Sequence, residues 1–305
     1  MRPNQASQVK RRRRSTKAEI EEFREALFAI VEENYPCSVR QVYYIGIGHL
    51  WDKDTGSSRR NYDRVVENLG IMREEGSLPF EWIADSTRYR RIPTMFGSVQ
   101  HAIERHAETY RRDLWAQQPR HIEVWAESDS ITGVIDPVTR SLGVGLFSCR
   151  GQASKTFAHS AAVEYLNVGK PVTVLYVGDW DPSGLGIAKS LRERLNRYSR
   201  GEVEIDFWRL AVSPHDIRTD RYISHGVNVN DKNLKRFEVE CERYRLDPSI
   251  AVEVEAIPPP ELRGRLEEEL YELAEDTETW NATIAAEESE KEIWQQLKRS
   301  LDEPA

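Results

Sequence analysis

Residues Val172-Thr-Val-Leu-Tyr-Val177 form a nearly unbroken apolar run, and Gly178-Asp-Trp-Asp-Pro-Ser-Gly184 follows directly. A short apolar run bounded by turn residues reads as a strand covered on both faces, the usual condition in a parallel sheet flanked by helices. The turn then opens a new helix. Asp179 and Asp181 alternate across the strand end, so the backbone must bend before both can face one cation. An acid pair outside the carboxyl edge of an α/β sheet is where a hard divalent ion would sit. The alternative for the same residues is a polar turn whose aspartate caps the next helix.

The surrounding pattern supports the sheet. His121–Ala126, Val144–Ser148, Val172–Val177 and Val203–Leu210 read as strands. Helical stretches at Ile131–Leu142, Ser154–Leu166 and Leu185–Tyr198 alternate with them, which implies a doubly wound parallel sheet. Upstream the pattern differs. Thr16 with Glu19, and Ser38 with Gln41, are capping-box pairs that open helices through about Asn34 and about Leu50. A third helix runs from about Ser58 to Glu75. Phe80–Asp85 alternates like a strand, with Arg88, Arg90 and Arg91 beside it. Three helices and a strand pair in this order predict a winged helix-turn-helix. A helix from about Phe96 to Trp115 leads to a boundary at Gln117-Gln-Pro, and Ala251–Ala256 reads as a late strand before Pro258-Pro-Pro260. The expected fold class is therefore α/β plus α+β. Its units are a basic arm at 1–15, the winged helix-turn-helix at 16–95 and a linking helix at 96–118. The sheet domain follows at 119–260, with acidic helices at 261–305.

Charge bears on partners more through its placement than its total. The 305-residue chain has a formal net charge of -8. The first 120 residues nevertheless carry about four net positives and the segment from Glu261 about nine net negatives. A basic front face stays compatible with DNA, because attraction to phosphate is local at physiological salt. Three scattered cysteines, Cys37, Cys149 and Cys241, exclude a cysteine metal cluster and fit a reducing cytoplasm. No apolar run approaches the roughly 20 residues of a membrane span, so no membrane partner is expected. Gly169-Lys-Pro lacks the upstream glycine of a P-loop, and Gly184-Leu-Gly186 lacks the third glycine of a dinucleotide site.

Glu127 follows the first strand of the sheet and can converge with Asp179 and Asp181. Taken alone it also fits a solvated strand end. Three carboxylates with little histidine favour Mg²⁺, with Mn²⁺ as its substitute. Arg150 and Lys155 follow the second strand, as phosphate contacts or as parts of an ordinary loop. In Ser38-Val-Arg-Gln-Val-Tyr-Tyr44, the residues Val39, Val42, Tyr43, Gly46 and Leu50 share one helical face. Arg40 and Tyr44 are neighbours on another. Arg59, Arg60, Asn61 and Arg64 crowd the start of the third helix, opposite a face of Tyr62, Val65, Val66 and Leu69. That arrangement suits phosphate and groove contact, which the Lys10–Arg14 arm would extend.

Glu127 after a strand, with Gly178-Asp-Trp-Asp-Pro-Ser-Gly184 some fifty residues on, resembles the Toprim module of topoisomerases, primases and some nucleases. The resemblance implies that Glu127, Asp179 and Asp181 hold Mg²⁺ beside a DNA phosphate. Arg-x-x-Tyr-Tyr in a winged helix ahead of such a module is similar to the A subunit of topoisomerase VI and the related meiotic double-strand-break protein. It covers roughly residues 16 to 275, and the chain length is that of the stand-alone mini-A members. In that family the second tyrosine becomes linked to a 5′-phosphate, which makes Tyr44 the nucleophile and Arg40 its helper. A homodimer then breaks both strands of duplex DNA, Tyr44 of one protomer meeting the metal of the other. A separate ATPase B-type subunit would be needed for strand passage. Two departures are Gln41, where the family has an acid, and Ala126-Glu-Ser128 in place of Val-Glu-Lys. Two rivals stand beside this reading: a hydrolytic Toprim nuclease, resembling the winged-helix Toprim subunit of plasmid-defence complexes, and a non-cleaving protein that only binds or bends DNA or scaffolds a partner through its acidic tail.

Overall fold

A computed structural model describes residues 16–52, 58–84, 93–149 and 155–302. The Lys10–Arg14 arm, Arg88, Arg90, Arg91 and Arg150 lie outside these residues. Both capping boxes form. Thr16 and Glu19 open α1 (Lys17–Asn34), and Ser38 and Gln41 open α2 (Val39–Gly46), each pair bonding the other's backbone. With α3 (Ser58–Glu74), these helices close around Phe23, Leu27, Val31, Val42, Val65, Leu69 and Met72.

Two sequence expectations change in this unit. Helix α2 ends at Gly46 and not near Leu50, because the chain doubles back over it. Gly48 takes a left-handed φ of +85°, and the Trp51 ring settles where a Cβ on Gly46 would stand. Trp51 then stacks on Tyr43 at 5.4 Å. The expected strand from Phe80 is instead a single 3₁₀ turn, Phe80–Trp82, followed by one bridge from Ile83 to Cys37. Pro79 sets the turn, Trp82 stacks on Tyr35 at 4.5 Å, and Ile83 is the buried residue while Phe80 faces outward. The alternation of large side chains was real, but packing on Tyr35 consumed it locally.

The linking helix is also shorter than expected. It spans α4, Val99–Thr109, after which Arg112 N–H donates to Glu287 at 2.9 Å and no longer to the helix. The boundary glutamine Gln118 is buried, and its amide is bonded both ways to the backbone of Asp276.

Beyond it come β1 (His121–Ala126), α5 (Asp129–Leu142), β2 (Gly145–Ser148) and α6 (Lys155–Val168). Then follow β3 (Val172–Val177), α7 (Pro182–Tyr198) and β4 (Ile205–Ala211). The strands form one parallel sheet in the order β2-β1-β3-β4. Side chains alternate between two cores, as a sheet covered on both faces requires. Trp125, Val174 and Tyr176 face α6 and α7, while Val124, Leu175 and Val177 face α5 and α10 (Pro259–Glu272). The architecture is mixed α/β around a four-stranded parallel sheet, and among the described residues no helix is long and apolar enough to cross a membrane.

The segment after β4 carries α8 (Pro214–Arg218), β5 (His225–Gly226), α9 (Leu234–Tyr244) and β6 (Ile250–Ala251). The expected strand Ala251–Ala256 survives only as its first residue in β6 and a bridge between Val252 and Trp180. A 3₁₀ turn, Val254–Ala256, follows, because the Val254 N–H is taken by the Asp179 carboxylate at 2.8 Å. The last helix, α11 (Thr277–Asp302), folds back on the α4 segment. Glu287 and Glu290 pair there with Arg111 and Arg112, so this part of the acidic tail has partners within the chain.

Candidate active site at the carboxyl edge of the sheet

Hydrogen bonds that continue the ladder one residue past the strands fix Glu127 beside Gly178. Glu127 N–H donates to Val177 O at 2.8 Å, and Gly178 N–H to Ala211 O at 2.7 Å. Glu127 then turns its carboxylate over Gly178. Its Oε2 accepts from Asp179 N–H at 3.0 Å and from the Tyr176 hydroxyl at 3.1 Å. Only glycines leave room for this. A Cβ on Gly178 would stand 2.5 Å from Glu127 Oε2, and one on Gly184 would stand 2.5 Å from Asp179 O and 3.0 Å from that same oxygen. Trp180, fully buried against Phe237 and Tyr244, anchors the turn from below.

Asp179 and Asp181 take different tasks. Asp179 Oδ1 accepts from Val254 N–H, tying the turn to the 3₁₀ segment. Asp181 is the N-cap of α7, its Oδ1 accepting from Gly184 N–H at 2.6 Å. The polar-turn alternative for Asp181 is thus realised as a helix cap. Each of the three acids commits one oxygen to these bonds, and Glu127 Oε1, Asp179 Oδ2 and Asp181 Oδ2 are the atoms a cation would take. An all-carboxylate donor set suits Mg²⁺ or Mn²⁺ in chemistry. Among the described residues, however, no three His, Cys, Asp or Glu side chains stand in a group ready to hold one ion.

Burial pushes the Glu127 carboxyl above its ordinary range, opposed by the Asp179 N–H and by Arg209. Asp179 is raised well above its usual range, first by burial and then by Glu127 and Glu255. Sequence reasoning passed over the cation that offsets this charge. Arg209, in the middle of β4, sends its guanidinium beneath the turn. It donates to Gly178 O and Asp179 O, both at 2.9 Å, and to Gly184 O at 3.3 Å, and lies 5.0 Å from the Tyr176 ring. Burial lowers its own pKa, while Tyr176, Glu127, Asp179 and Asp181 work the other way. The signal was present in Phe-Trp-Arg-Leu-Ala, a lone cation in an apolar strand.

Tyr44 and Arg40 come to this edge from α2. Arg40 Nη1 pairs with Glu253 Oε2 at 2.9 Å, and the Tyr44 phenol, one helical turn on, lies within the influence of the same carboxylate. Burial and Glu253 both raise the Tyr44 pKa, and Arg40 only partly offsets them. Glu255, two residues on, is buried, accepts from Ser130 at 3.0 Å, and is raised by burial against the pull of Arg40. The 3₁₀ turn that carries Glu253 and Glu255 is the one held by Asp179. Tyr44, Arg40, Glu253, Glu255 and Asp179 therefore form a connected chain within a single protomer. The sequence expectation treated Glu253 and Glu255 as strand residues, although two acids alternating in an apolar stretch already marked them out.

The expected DNA-contact residues divide. Arg59 and Arg60 are exposed at the start of α3 and Lys155 at the start of α6, with Asn61 half-buried. Arg64 turns inward, its guanidinium 3.8 Å above the Phe23 ring, so it holds α1 to α3. Val66, expected inside, is exposed. No protein-family model matches this chain, and no curated protein matches it significantly.

Proposed function

We propose that this chain is a DNA-cleaving transesterase of the winged-helix and Toprim type, resembling a type IIB topoisomerase A subunit. Tyr44 attacks a phosphodiester of duplex DNA, Arg40 steadies the phosphate, and the protein keeps the 5′ end as a phosphotyrosine. The observation that carries this reading is the meeting of Arg40 and Tyr44 with Glu253, on the turn whose Val254 N–H is held by Asp179 at the acid edge of a parallel sheet. Residues brought from two separate units to one sheet edge, around a buried acid turn, are what a phosphoryl-transfer site needs. Glu127, Asp179 and Asp181 would hold Mg²⁺, which when bound supplies a counter-charge to the phosphate in the transition state. Arg209 keeps the turn in place beneath them. Arg59, Arg60 and Asn61 on α3, with Lys155, grip phosphates in a salt-dependent manner. A homodimer would break both strands, and a separate ATPase B-type partner would be required for strand passage.

A second reading is favoured by the surroundings of Tyr44, where burial and then Glu253 raise the phenol's pKa and so favour its protonated form. In a hydrolytic nuclease the tyrosine would be structural and water would attack. One experiment separates the two. Supercoiled plasmid is incubated with Mg²⁺ or Mn²⁺, stopped with detergent, and compared with and without protease. The transesterase leaves protein on 5′ ends, and Tyr44→Phe abolishes that adduct while sparing DNA binding. Free 5′ ends produced equally by Tyr44→Phe establish the nuclease.

A further inference from the structure

We propose that Glu253 is the proton acceptor for Tyr44, a catalytic residue that reaches the nucleophile from the 3₁₀ turn after β6. The inference rests on the transesterase reading and deepens it.

Three features of the geometry carry it. First, Glu253 lies beside the reacting residue: Arg40, which binds its carboxylate at 2.9 Å, stands one helical turn before Tyr44, and the charge of that carboxylate acts on the Tyr44 phenol. A general base must lie within hydrogen-bond reach of the proton it removes. Second, the carboxylate is oriented by a third group: Arg40 Nη1 binds Oε2 at 2.9 Å from the same helix as Tyr44. Nucleophile, base and orienting group thus form a connected set of the kind that activates weak nucleophiles. Arg40 cannot serve as the base, because a guanidinium has no acceptor. Third, Glu253 is neither sealed nor loose. Its side chain is 23% exposed, enough to exchange a proton with water, while its neighbour Val254 is pinned to Asp179. The base and the acid turn share one piece of backbone.

A purely structural role explains less. The N-terminal unit is fastened to the sheet domain elsewhere, by Gln41 Nε2 on Ile257 O at 3.4 Å and by Arg263 on the carbonyls of residues 34–36. An ion pair between Arg40 and Glu253 would add little to that, and would not require Tyr44 to join it.

The step balances. As Tyr44 Oη bonds to phosphorus, its proton passes to Glu253. The P–O3′ bond breaks with its electron pair on O3′, which takes a proton from water. Glu253 then returns its proton to solvent, leaving no net change. In resealing, O3′ bonds to phosphorus and loses its proton to water, while Glu253, having taken a proton back from solvent, protonates Tyr44 Oη as the phosphotyrosine bond breaks.

Other groups face this pair, and the experiment must allow for them. They are Arg40 from α2, Tyr62 from α3 beside Arg40, His225 of β5 at 3.8 Å from Glu253 Oε1, and Glu255 and Asp179 from the acid edge. Rates of adduct formation are therefore compared between about pH 8 and pH 10, above the ordinary histidine range. Wild type, Tyr44→Phe, Glu253→Gln and Glu253→Asp are measured on supercoiled plasmid with Mg²⁺. Gln keeps the shape without the basicity, and Asp keeps the basicity at a shorter reach. Glu253→Gln should form adduct about 10²-fold more slowly at the low end, recover about tenfold per pH unit, and shift DNA in a gel as wild type does. Glu253→Asp should fall between the two. Wild-type rates in Glu253→Gln, or an equal and pH-independent loss in both variants, would overturn the assignment. Absence of any adduct from wild type would bring down the transesterase reading and this inference with it.

Discussion

Gly178→Ala tests the acid turn at its tightest point. The new methyl group would stand 2.5 Å from Glu127 Oε2, and 2.7 and 2.9 Å from Cε1 and Cζ of Tyr176. The backbone conformation tolerates alanine, because Gly178 does not adopt a left-handed φ. The cost is therefore steric and polar. If Glu127 stays, the site is overpacked, at about 1–3 kcal/mol. If it swings away, it abandons its bonds with Asp179 N–H and the Tyr176 hydroxyl, at about 1.5 kcal/mol each. Either route reaches about 3 kcal/mol. At about 2–4 °C per kcal/mol for a unit of this size, the melting temperature should fall by about 6–12 °C. Thermal unfolding followed by circular dichroism measures it. Gly264→Ala is the matched control, since nothing lies within 4 Å of a Cβ there and the residue is inside α10. It should leave stability unchanged or raise it by up to about 1 kcal/mol. A Gly178→Ala protein melting within about 2 °C of wild type would refute the packing argument.

Two further perturbations probe the frame around the site. Arg263 donates to Pro36 O at 3.0 Å, Tyr35 O at 3.2 Å, Asn34 O at 3.4 Å and Val134 O at 3.5 Å. Arg263→Met should cost about 2–4 kcal/mol and split urea unfolding into two transitions, the three-helix unit leaving first. A single transition at the wild-type midpoint would count against the latch. All three cysteines are buried, and burial pushes the thiols of Cys37 and Cys149 up to about 12 and that of Cys241 up to about 11. A thiol-exchange reagent at pH 8 should therefore find no fast-reacting thiol in the native protein and three after denaturation. One thiol reacting within seconds would show that a cysteine is more open than its packing implies.

How much of this was legible in the sequence depended on whether local pattern or distant contact decided each element. Val172–Val177 is a strand at its predicted bounds, because an apolar run with helices to either side has few other places to go. The capping boxes of α1 and α2 formed for a similar reason: donor and acceptor sit three residues apart and need no tertiary help. Phe80–Ala84, the described part of one expected strand, and Ala251–Ala256 failed as strands because non-local partners claimed them. Tyr35 took Trp82, and Asp179 took the Val254 N–H that a strand would have used. Glu127 was placed by topology, since the residue after a parallel strand must emerge at the carboxyl edge. Arg209 and Glu253 were missed because their roles depend on which side chains the fold brings near. Neither role leaves a spacing that can be read along the chain.

The contact between Arg40 and Glu253 spans 213 residues of sequence, and Arg263 reaches Pro36 across 227. In a chain made from its N-terminus, the helix bearing Tyr44 emerges and folds long before the turn it must meet. The three-helix unit has its own core and can form early. Its tyrosine then stands without Glu253 until more than four-fifths of the chain has been made. If the carboxylate arms the phenol, an incomplete or truncated chain could bind DNA but could not cut it. Under the proposed function, the order of synthesis would then keep Tyr44 unarmed until the turn carrying Glu253 has emerged.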